Sequence, residues 1–266
     1  LRNHRKIIVI DGEIAYTGSQ NLVDPRFFKQ DEGVGQWIDA MIRMEGPSVE
    51  ALAGTFIEDW ELNTGEGLKA LEETSDIRSI PEKGTTPVQV VPSGPAIRPE
   101  VIHQLLLTTI YSAQKKLVLT TPYFVPDESL ITALISAAHR QVDVIIVVPA
   151  EVDSRLVHYA SRSLFDNLMS AGVTIAAFKG GLLHTKSITV DDGICVFGTV
   201  NLDMRSLWLN FEVSLFIYDL ELTKQVREMQ MKYIHNADTL DLTEWRKRSV
   251  FQRFTENAAQ LVGPLL

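Results

Sequence analysis

Alternating apolar and polar positions predict a β-hairpin at the start of the chain. Residues 4–11 alternate between two faces, so a strand there places His4 and Lys6 side by side on one face. Asp11 begins a turn signal, and residues 14–17 have the apolar character of a returning strand. The first predicted element therefore presents two reactive side chains at the very beginning of the sequence.

Strand-like and helix-like periods then follow one another along the rest of the chain. Residues 37–44 alternate as a strand, and a helix is predicted from Ser48 to near Asn63. The second half has predicted strands at 88–91, 117–121, 142–148, 173–178 and 213–218, and predicted helices at about 99–113, 127–140, 153–171 and 222–233. This order predicts an α/β fold with a largely parallel, helix-covered sheet, whose sites lie beyond the carboxyl ends of the strands.

Residues 64–87 separate the two regular parts of the sequence. They are rich in Gly, Glu, Lys, Thr and Pro and have no clear apolar period, which predicts an interdomain connection. We therefore predict the C-terminal part of a first domain at residues 1–63 and a second domain at residues 88–266. A reactive strand at an extreme N-terminus would be only half-covered, so we expect a C-terminal fragment whose first domain is truncated at its N-terminal end.

Two features of the sequence bear on membrane contact. No stretch of ~20 apolar residues is present, so no spanning helix is predicted. Residues 245–254 mix Arg and Lys with Trp and Phe, a composition that fits a membrane surface. A C-terminal helix docked on the second domain is the preferred interpretation of that segment.

A motif of reactive residues occurs twice in register. It consists of His-x-Lys-x4-Asp followed by Gly, a hydroxyl residue and Asn. Its members are His4, Lys6, Asp11, Ser19 and Asn21 and, 180 residues later, His184, Lys186, Asp191, Thr199 and Asn201. Each copy supplies an imidazole, an ammonium, a hydroxyl and a carboxamide. Two copies facing each other would surround one tetrahedral phosphate, with the hydroxyls and carboxamides as phosphate-binding groups.

The two aspartates of the repeat differ from its other members. Asp11 and Asp191 complete the motif and are counted with the catalytic set for that reason. Each of them lies opposite the face of its histidine, at a turn. That position favours a structural role, bonding turn N–H groups or a neighbouring cation, over proton transfer.

Composition and charge limit the partners and cofactors that we expect. Hydrophobic residues make up 45% and charged residues 22%, as in a globular α/β enzyme, and the net charge of −9 weighs against nucleic acid. The single cysteine, Cys195, excludes an internal disulfide and is predicted to be an inert core residue. We find no ligand spacing for zinc or magnesium, and two lysines can hold a phosphate, so neither a metal nor another cofactor is expected.

The duplicated motif resembles the mark of the phospholipase D superfamily. Within it, the flanking stretches at residues 4–25, 33–47, 121–126 and 180–212 resemble bacterial cardiolipin synthases. The resemblance implies a phospholipase D-like fold of two similar α/β/α domains with helix-flanked, mixed, largely parallel sheets. The first of these domains would be truncated at its N-terminus.

The resemblance also implies roles for the site residues. The histidine of the first motif, His4, is expected to be the nucleophile that forms a phosphohistidine, and His184 is expected to be the acid and base. Exchanged roles remain open, because the two motifs are nearly symmetric. The superfamily places an orienting carboxylate downstream of each motif, and the matching positions here are Asp39 and Glu212.

Two further positions are second-rank candidates for the rim of the site. Tyr123 follows the strand predicted at 117–121, and residues 153–155 follow another strand. Packing and helix capping explain these residues equally well, so both interpretations stay open.

The activity that the resemblance implies is phosphatidyl transfer between two phosphatidylglycerol molecules, giving cardiolipin and glycerol. The expected partners are these lipids and a membrane surface, without nucleic acid. The expected location is the bacterial inner membrane, through N-terminal helices that this fragment lacks. The alternatives are a phospholipase D-type hydrolase, another phosphodiesterase of the superfamily, or an inactive module that only binds phospholipid headgroups. Such a module is expected to have lost a motif histidine or lysine, and both motifs are complete.

Overall fold

Helices and strands alternate along the chain, as the sequence predicts for an α/β fold. The computed structural model describes residues 2–24, 26–27, 33, 35–67, 78–95 and 100–262. The strands are β1 Arg2–Asn3, β2 Ile7–Ile10, β3 Ile14–Gly18, β4 Trp37–Ile38, β5 Met41–Glu45, β6 Val88–Ser93, β7 Lys116–Thr120, β8 Phe124–Val125, β9 Asp143–Pro149, β10 Thr174–Phe178, β11 Leu182–Leu183, β12 Ser187–Val190, β13 Ile194–Gly198, β14 Leu202–Asp203, β15 Asn210–Ile217 and β16 Ala237–Thr239. The helices are α1 Ser48–Thr64, α2 Glu100–Ser112, α3 Glu128–His139, α4 Arg155–Ser170, α5 Met204–Trp208, α6 Leu220–His235, α7 Leu242–Arg246 and α8 Val250–Leu261.

A nine-stranded mixed sheet forms the centre of the molecule. Its order is β6-β15-β13-β12-β7-β9-β10-β16, with β1 beside the start of β15. Strands β7, β9 and β10 are parallel neighbours, connected through helices α3 and α4. The hairpin β12-β13 and strands β6, β15 and β16 pair antiparallel with their neighbours in this order. The α/β class with helix-flanked mixed sheets is confirmed.

The first copy of the repeat forms a small sheet that matches part of the large one. Strands β2, β3 and β5 pair antiparallel as a three-stranded sheet. Each strand of the first hairpin begins and ends 180 residues before its counterpart in the hairpin β12-β13. The internal repeat in the sequence is therefore also a repeat in structure.

Helices cover both faces of the large sheet, and the small sheet covers part of one. Helices α2, α3 and α4 pack on one face through the largest apolar cluster. Helices α1 and α6 contribute to a second cluster on the other face, together with Ala15 and Met44 of the small sheet. Cys195 lies within that second cluster, and burial raises the pKa of its thiol to about 12.

The two copies are joined by an exchange of short strands. Strand β1 precedes the first motif and pairs in parallel with β15, which follows the second motif. Strand β11 precedes the second motif and pairs in parallel with β4, which follows the first motif. Each motif is therefore bordered by a strand from the other copy.

One predicted strand is wrong, because the structure divides it into two strands. The strand predicted over residues 37–44 is broken at Asp39 and Ala40, between β4 and β5. Strand β4 pairs with β11 and β5 pairs with β3, so the chain passes from one sheet to another at the break. The alternation of side chains continues through the break, and sequence periodicity therefore does not reveal it.

Other sequence expectations differ from the structure at the ends of elements or in short elements. The five predicted helices correspond to α1, α2, α3, α4 and α6 within two residues at each end. Prediction missed the short helices α5 and α7 and strand β16. The tail forms α7 and α8, which dock on α4. The domain boundaries stay a prediction, and residues 68–77 of the predicted connection, like Pro99, lie outside the described residues. In the part of the chain that is described, no helix combines the length and apolar character that a membrane span needs.

Candidate active site

The two motif histidines are each paired with a carboxylate that follows the other motif. His4 Nδ1 lies 2.8 Å from Glu212 Oε2, and His184 Nδ1 lies 2.6 Å from Asp39 Oδ1. An ionised carboxylate only accepts hydrogen bonds, so each Nδ1 carries the proton and each Nε2 keeps its lone pair. The predicted orienting residues thus lie at the histidines, in a crossed arrangement that the sequence did not reveal.

The exchanged strands produce this crossed arrangement. The backbone N–H of His4 donates to the carbonyl of Phe211 at 2.9 Å, immediately before Glu212. The N–H of His184 donates to the carbonyl of Ile38 at the same distance, immediately before Asp39. Parallel pairing brings each carboxylate alongside the histidine of the other copy, so each half of the site is completed by a residue from the other half.

The two motif lysines lie beside the histidines. Lys6 Nζ donates to the carbonyl of His4 at 2.8 Å, and Lys186 Nζ donates to the carbonyl of His184 at 2.7 Å. Among the described residues no other hydrogen bond of these two ammonium groups is found. An ammonium has three donors, so hydrogens remain for an anionic ligand on each lysine.

Electrostatic coupling shows that the two halves share one site. Burial and, as the next cause, the charge of Lys6 together lower the pKa of Lys186 to about 7. Burial also lowers the pKa of Lys6, to about 8. Each lysine contributes to lowering the pKa of the histidine of the opposite motif. An anion bound between the lysines would relieve this repulsion and raise both lysine pKa values again.

Burial favours the neutral form of both imidazoles. It lowers the pKa of His4 against the opposing effect of Glu212. It lowers the pKa of His184 to about 4, with Lys186 as the next cause. Burial alone would raise the pKa of Asp39, but the hydrogen bond and charge of its His184 partner lower it. Neutral imidazoles with free Nε2 atoms can act as a nucleophile or as a base.

The predicted phosphate-binding hydroxyls contact the strands that carry the carboxylates. Ser19 Oγ donates to Asp39 Oδ1 at 2.7 Å and accepts from the N–H of Ala40 at 3.0 Å. Thr199 Oγ1 accepts from the N–H of Val213 at 2.9 Å. Both hydroxyls therefore hold the segment that follows a carboxylate, and their binding of phosphate stays a prediction.

The glycine before each hydroxyl is required by the close approach of the same segments. A Cβ on Gly18 would lie 2.3 Å from the carbonyl oxygen of Ala40. A Cβ on Gly198 would lie 2.3 Å from the carbonyl oxygen of Val213. Any side chain at either glycine would push away the strand that positions a carboxylate.

The two motif asparagines differ in their surroundings. Asn201 is buried, and its Nδ2 donates to Ser206 Oγ at 3.2 Å. Its Oδ1 has no hydrogen-bond partner within the described part of the chain. Asn21 is half-buried in the segment that follows the first hairpin. Phosphate binding by both carboxamides stays a prediction.

Asp11 and Asp191 lie at the turns of the two hairpins, at the far end of the strands from the histidines. Both adopt left-handed backbone conformations, with φ of 52° and 47°. The carboxylate of Asp191 accepts the backbone N–H groups of residues 114, 115 and 116. These bonds overcome the effect of burial and lower its pKa. The contacts of Asp191 are those of a residue that holds a turn against the neighbouring strand β7.

Two residues that sequence reasoning missed support the histidines. Arg5 donates from Nε to the Glu212 carbonyl at 2.9 Å and from Nη1 to Asp59 at 2.6 Å. The ring of Trp37 lies 4.5 Å from the ring of His184, centroid to centroid. Trp37 could have been found, since it lies two residues before Asp39 and thus on the same face of a strand.

The third missed residue is a buried acid beside the second motif. Asp203 is 6% exposed and accepts the N–H of Ser206 at 2.7 Å, which caps α5. Burial raises the pKa of Asp203 to about 6. The helix that Asp203 caps was not predicted, and nothing in the sequence indicated that this residue would be buried.

The second-rank rim candidates are in contact with each other. Tyr123 Oη donates to Asp153 Oδ1 at 2.7 Å, and burial raises the pKa of this phenol. Ser154 caps helix α4 by accepting the N–H of Val157 at 3.4 Å. The two segments therefore meet where strands β7 and β9 end, as expected for neighbouring parallel strands.

Comparison with known proteins agrees with this geometry. Residues 106–233 match a family model described as the phospholipase D-like domain of cardiolipin synthase. A solved structure of phosphatidylserine synthase from Haemophilus influenzae Rd KW20 superposes with a TM-score of 0.72 at 18% identity, over 99% of this chain and 71% of that one. The chain belongs to the phospholipase D superfamily.

Its most similar relatives fall in one group of that superfamily. The chain is 50% identical over 266 residues to cardiolipin synthase A of Yersinia pseudotuberculosis serotype O:1b (strain IP 31758). It is 52% identical over 269 residues to cardiolipin synthase A of Pectobacterium carotovorum subsp. carotovorum (strain PC1). In both cases 100% of this chain is matched, but only 55% of the relative, so the chain spans about half the length of these curated relatives.

Proposed function

We propose that this chain carries the active site of a cardiolipin synthase. The reaction transfers the phosphatidyl group of one phosphatidylglycerol to a second, giving cardiolipin and glycerol. One observation carries the proposal: two histidine–carboxylate pairs and two lysines share one site, with both Nε2 atoms unprotonated. That set contains a nucleophile, an acid–base group and two cations for one phosphate.

In the first half-reaction His4 is the nucleophile. Its Nε2 lone pair attacks the phosphorus of phosphatidylglycerol, while Glu212 at Nδ1 stabilises the positive charge that develops on the ring. The bond between phosphorus and the glycerol oxygen breaks, and His184 gives that oxygen a proton. Burial favours neutral His184, and the negative charge of a bound phosphate raises its pKa, so His184 takes up this proton when the substrate binds.

In the second half-reaction His184 acts as the base. It removes the proton from the terminal hydroxyl of a second phosphatidylglycerol, and that oxygen attacks the phosphohistidine. The phosphorus–nitrogen bond breaks, cardiolipin leaves, and His4 returns to its neutral form. Lys6 and Lys186 stabilise the equatorial phosphate oxygens in both steps. No step in this scheme calls for a metal or cofactor.

The proposal extends to the partners and location. The similarity to two proteins named cardiolipin synthase A supports phospholipids as substrates. We place the reaction at the bacterial inner membrane, because phosphatidylglycerol and cardiolipin are bilayer lipids. The site is expected to work on a lipid surface without nucleic acid.

The test follows lipid products by mass spectrometry, using the natural-length protein in detergent micelles with phosphatidylglycerol. Cardiolipin and glycerol should appear in equal amounts, and His4→Ala and His184→Ala should each abolish both products. A variant such as His139→Ala, on helix α3, controls for loss of an unrelated histidine and should remain active.

Other products would contradict the transferase. Phosphatidic acid without cardiolipin would identify a phospholipase D-type hydrolase. An unchanged lipid pool would contradict lipid chemistry altogether, and cleavage of phosphodiester nucleic acids would then identify another phosphodiesterase of the superfamily. Binding of headgroups without turnover would identify an inactive lipid-binding module.

A further inference from the structure

Helix α8, Val250–Leu261, packs on the domain with its less apolar side. The residues that face helix α4 include Glu256 and Ala259, which are 1% and 6% exposed. Glu256 accepts from Arg162 Nε at 2.9 Å and also pairs with Arg248. The helix is therefore held in place by ion pairs to a buried carboxylate and by the apolar contacts of Ala259, which together fix its orientation.

The apolar side of α8 points away from the protein. Val250, Phe251, Phe254 and Leu261 are between 69% and 85% exposed. Their spacing of i, i+1, i+4 and i+11 places them in one stripe along the helix. We call these four residues the outer stripe. Isolated exposed apolar residues are common, but Val250, Phe251 and Phe254 adjoin one another on the first turns of the helix, and a group with two phenyl rings marks an interaction surface.

Basic side chains accompany the outer stripe. Arg253 is exposed within the helix, and Lys247 is exposed just before it, at 65% of its side chain. Lys247 pairs with Glu244, but both members are largely exposed, and such pairs contribute little. In a chain with a net charge of −9, these cations allow this helix to approach a negatively charged surface.

We propose that helix α8 lies on the surface of an anionic phospholipid bilayer, with the outer stripe inserted among the acyl chains. An interfacial helix has phenyl and aliphatic side chains on one side, basic residues beside them, and low mean hydropathy, and α8 has all of these features. The choice of lipid as the occupant rests on the proposed function.

The size of the stripe favours a lipid surface over a second copy of the chain. A helix of 12 residues is ~18 Å long, and one of its sides is ~10 Å wide. A stable protein interface needs roughly 800 Å² on each partner. The outer stripe provides a fraction of that area, whereas the affinity of an interfacial helix for a bilayer rises with its buried apolar area and with its attraction to anionic lipids.

The position of α8 connects the outer stripe with the candidate active site. Its last turn contacts helix α4, where Gln260 Oε1 lies 3.1 Å from Ser163 Oγ. Helix α4 begins two residues after Asp153, whose carboxylate accepts from Tyr123 beyond the end of strand β7. A bilayer in contact with α8 would therefore lie beside the rim of the candidate active site, and it would supply the lipid substrate.

Vesicle flotation of the 266-residue chain tests this proposal. The vesicles contain equal parts of phosphatidylglycerol and phosphatidylethanolamine, with phosphatidylcholine vesicles in parallel. The double variant Phe251→Glu/Phe254→Glu should lower the bound fraction about tenfold or more, because it places charge where apolar insertion is needed. Gln260→Glu, an exposed position on the same helix about 80° or more from the outer stripe, keeps the oxygen that accepts from Ser163 and is the matched control for added charge; it should change binding by less than about twofold.

A second measurement separates insertion from surface attraction. Phe254→Cys carries an environment-sensitive fluorophore, and the natural Cys195 is 0% exposed and stays unlabelled. Vesicles should shift the emission to the blue, as expected for a label in an apolar environment. An unshifted emission during vesicle binding would contradict insertion.

Other results would contradict either the membrane contact of α8 or the proposed synthase activity. Unchanged flotation of the double variant would overturn the proposal. So would gel filtration that shows a dimer lost in the double variant while vesicles bind neither form, because the stripe would then join two copies. Activity in detergent micelles gives the separate reading: a double variant that keeps micellar turnover but loses flotation supports the proposal. Normal flotation without turnover would contradict only the proposed synthase.

Discussion

The two halves of the candidate active site have the same residues but very different surroundings. Strand β12 of the second copy lies inside the nine-stranded sheet, and all four of its residues are buried. Strand β2 of the first copy lies at the edge of a three-stranded sheet, where Ile8 and Ile10 are 41% and 42% exposed. The corresponding Ile188 and Val190 are 5% and 1% exposed.

This difference shows how equivalent residues acquire different properties. Lys186 is more deeply buried than Lys6, and its pKa falls to about 7 instead of about 8. Burial is the largest cause in both cases, so the surrounding sheet and not the motif produces the asymmetry. The crossed carboxylates make the two copies depend on each other, because each copy supplies the carboxylate that orients the other copy's histidine.

The largest effects are expected at the two histidines. Both should be necessary, His4 as the nucleophile and His184 as the acid and then the base. His4→Ala and His184→Ala should each lower kcat roughly 10⁴-fold or more, since residues that act as a unit fail together. Labelled phosphatidylglycerol should form no covalent adduct with the His4→Ala protein. With His184→Ala it should form an adduct slowly, because the acid for the glycerol oxygen is missing, and that adduct should persist, because the base for the second alcohol is missing too. The reverse labelling pattern would exchange the roles of nucleophile and acid–base group.

The next effect tests whether the carboxylates act across the two copies. Asp39→Asn should lower kcat by about 10²–10⁴-fold, and so should Glu212→Gln, because each leaves a histidine in the wrong tautomer. The Nδ1 proton resonance of His184 should shift or vanish in Asp39→Asn, while that of His4 persists. Glu212→Gln should give the opposite pattern. A response of the histidine in the same motif would contradict the crossed arrangement.

A smaller effect is expected from the glycines that allow the carboxylate segments to approach. Gly198→Ala should lower the free energy of unfolding by about 1–3 kcal/mol, because its methyl group meets backbone and not a flexible side chain. Gly18→Ala should cost less, since the small sheet can move more easily than the large one. Gly193→Ala is the control, with its nearest contact at 3.8 Å. Chemical denaturation of all three variants makes the comparison, and equal losses at Gly193 and Gly198 would contradict it.

The smallest effect concerns the folding stability that the protein loses because two lysine charges are buried. The pKa of Lys186 is lowered by burial from its ordinary value of 10.5 to about 7, so the folded protein binds fewer protons than the unfolded one between these pH values. Stability should therefore rise with pH through that window, and the full penalty is present below it. Lys186→Met should raise the free energy of unfolding at pH 6 by about 1–2 kcal/mol, and Lys6→Met by less.

The control for that prediction is the same pair of variants at pH 9.5, where the gain should shrink as wild-type Lys186 becomes neutral. Turnover should show the opposite trend, because the phosphate needs charged lysines. We expect kcat/KM of the wild type to fall as the pH rises through 7 to 8. A rate that stays constant up to pH 9 would contradict a catalytic role for these charges.

Much of the fold could be predicted because local patterns determine it. The hairpins follow from alternation and turn residues, and helices α3 and α4 follow from their apolar period and from caps at Asp127 and Ser154. Helices α5 and α7 were missed because five residues are too few for a clear period. Strands β4 and β11, of two residues each, depend on a partner that is distant in sequence.

The sequence predicted which residues belong to the candidate site, but not which of them contact each other. His4, Lys6, His184 and Lys186 were found because their spacing repeats. Distance along the chain suggested that Asp39 belongs with the first motif, yet it binds the second, 145 residues away. Ser19 likewise contacts Asp39, a pairing that no local spacing indicates.

The sequence by itself determined the duplicated motif, the hairpins that display it and the order of strands and helices, since each depends on neighbouring residues and on side-chain alternation. Only the tertiary structure decided which carboxylate orients which histidine, how far each lysine is depleted of its charge, and that helix α8 turns its apolar stripe outward. These properties depend on burial and on contacts between segments 94 to 208 residues apart. Backbone pairing across the two copies fixes the histidine–carboxylate contacts, and it leaves no periodic signal in the chain.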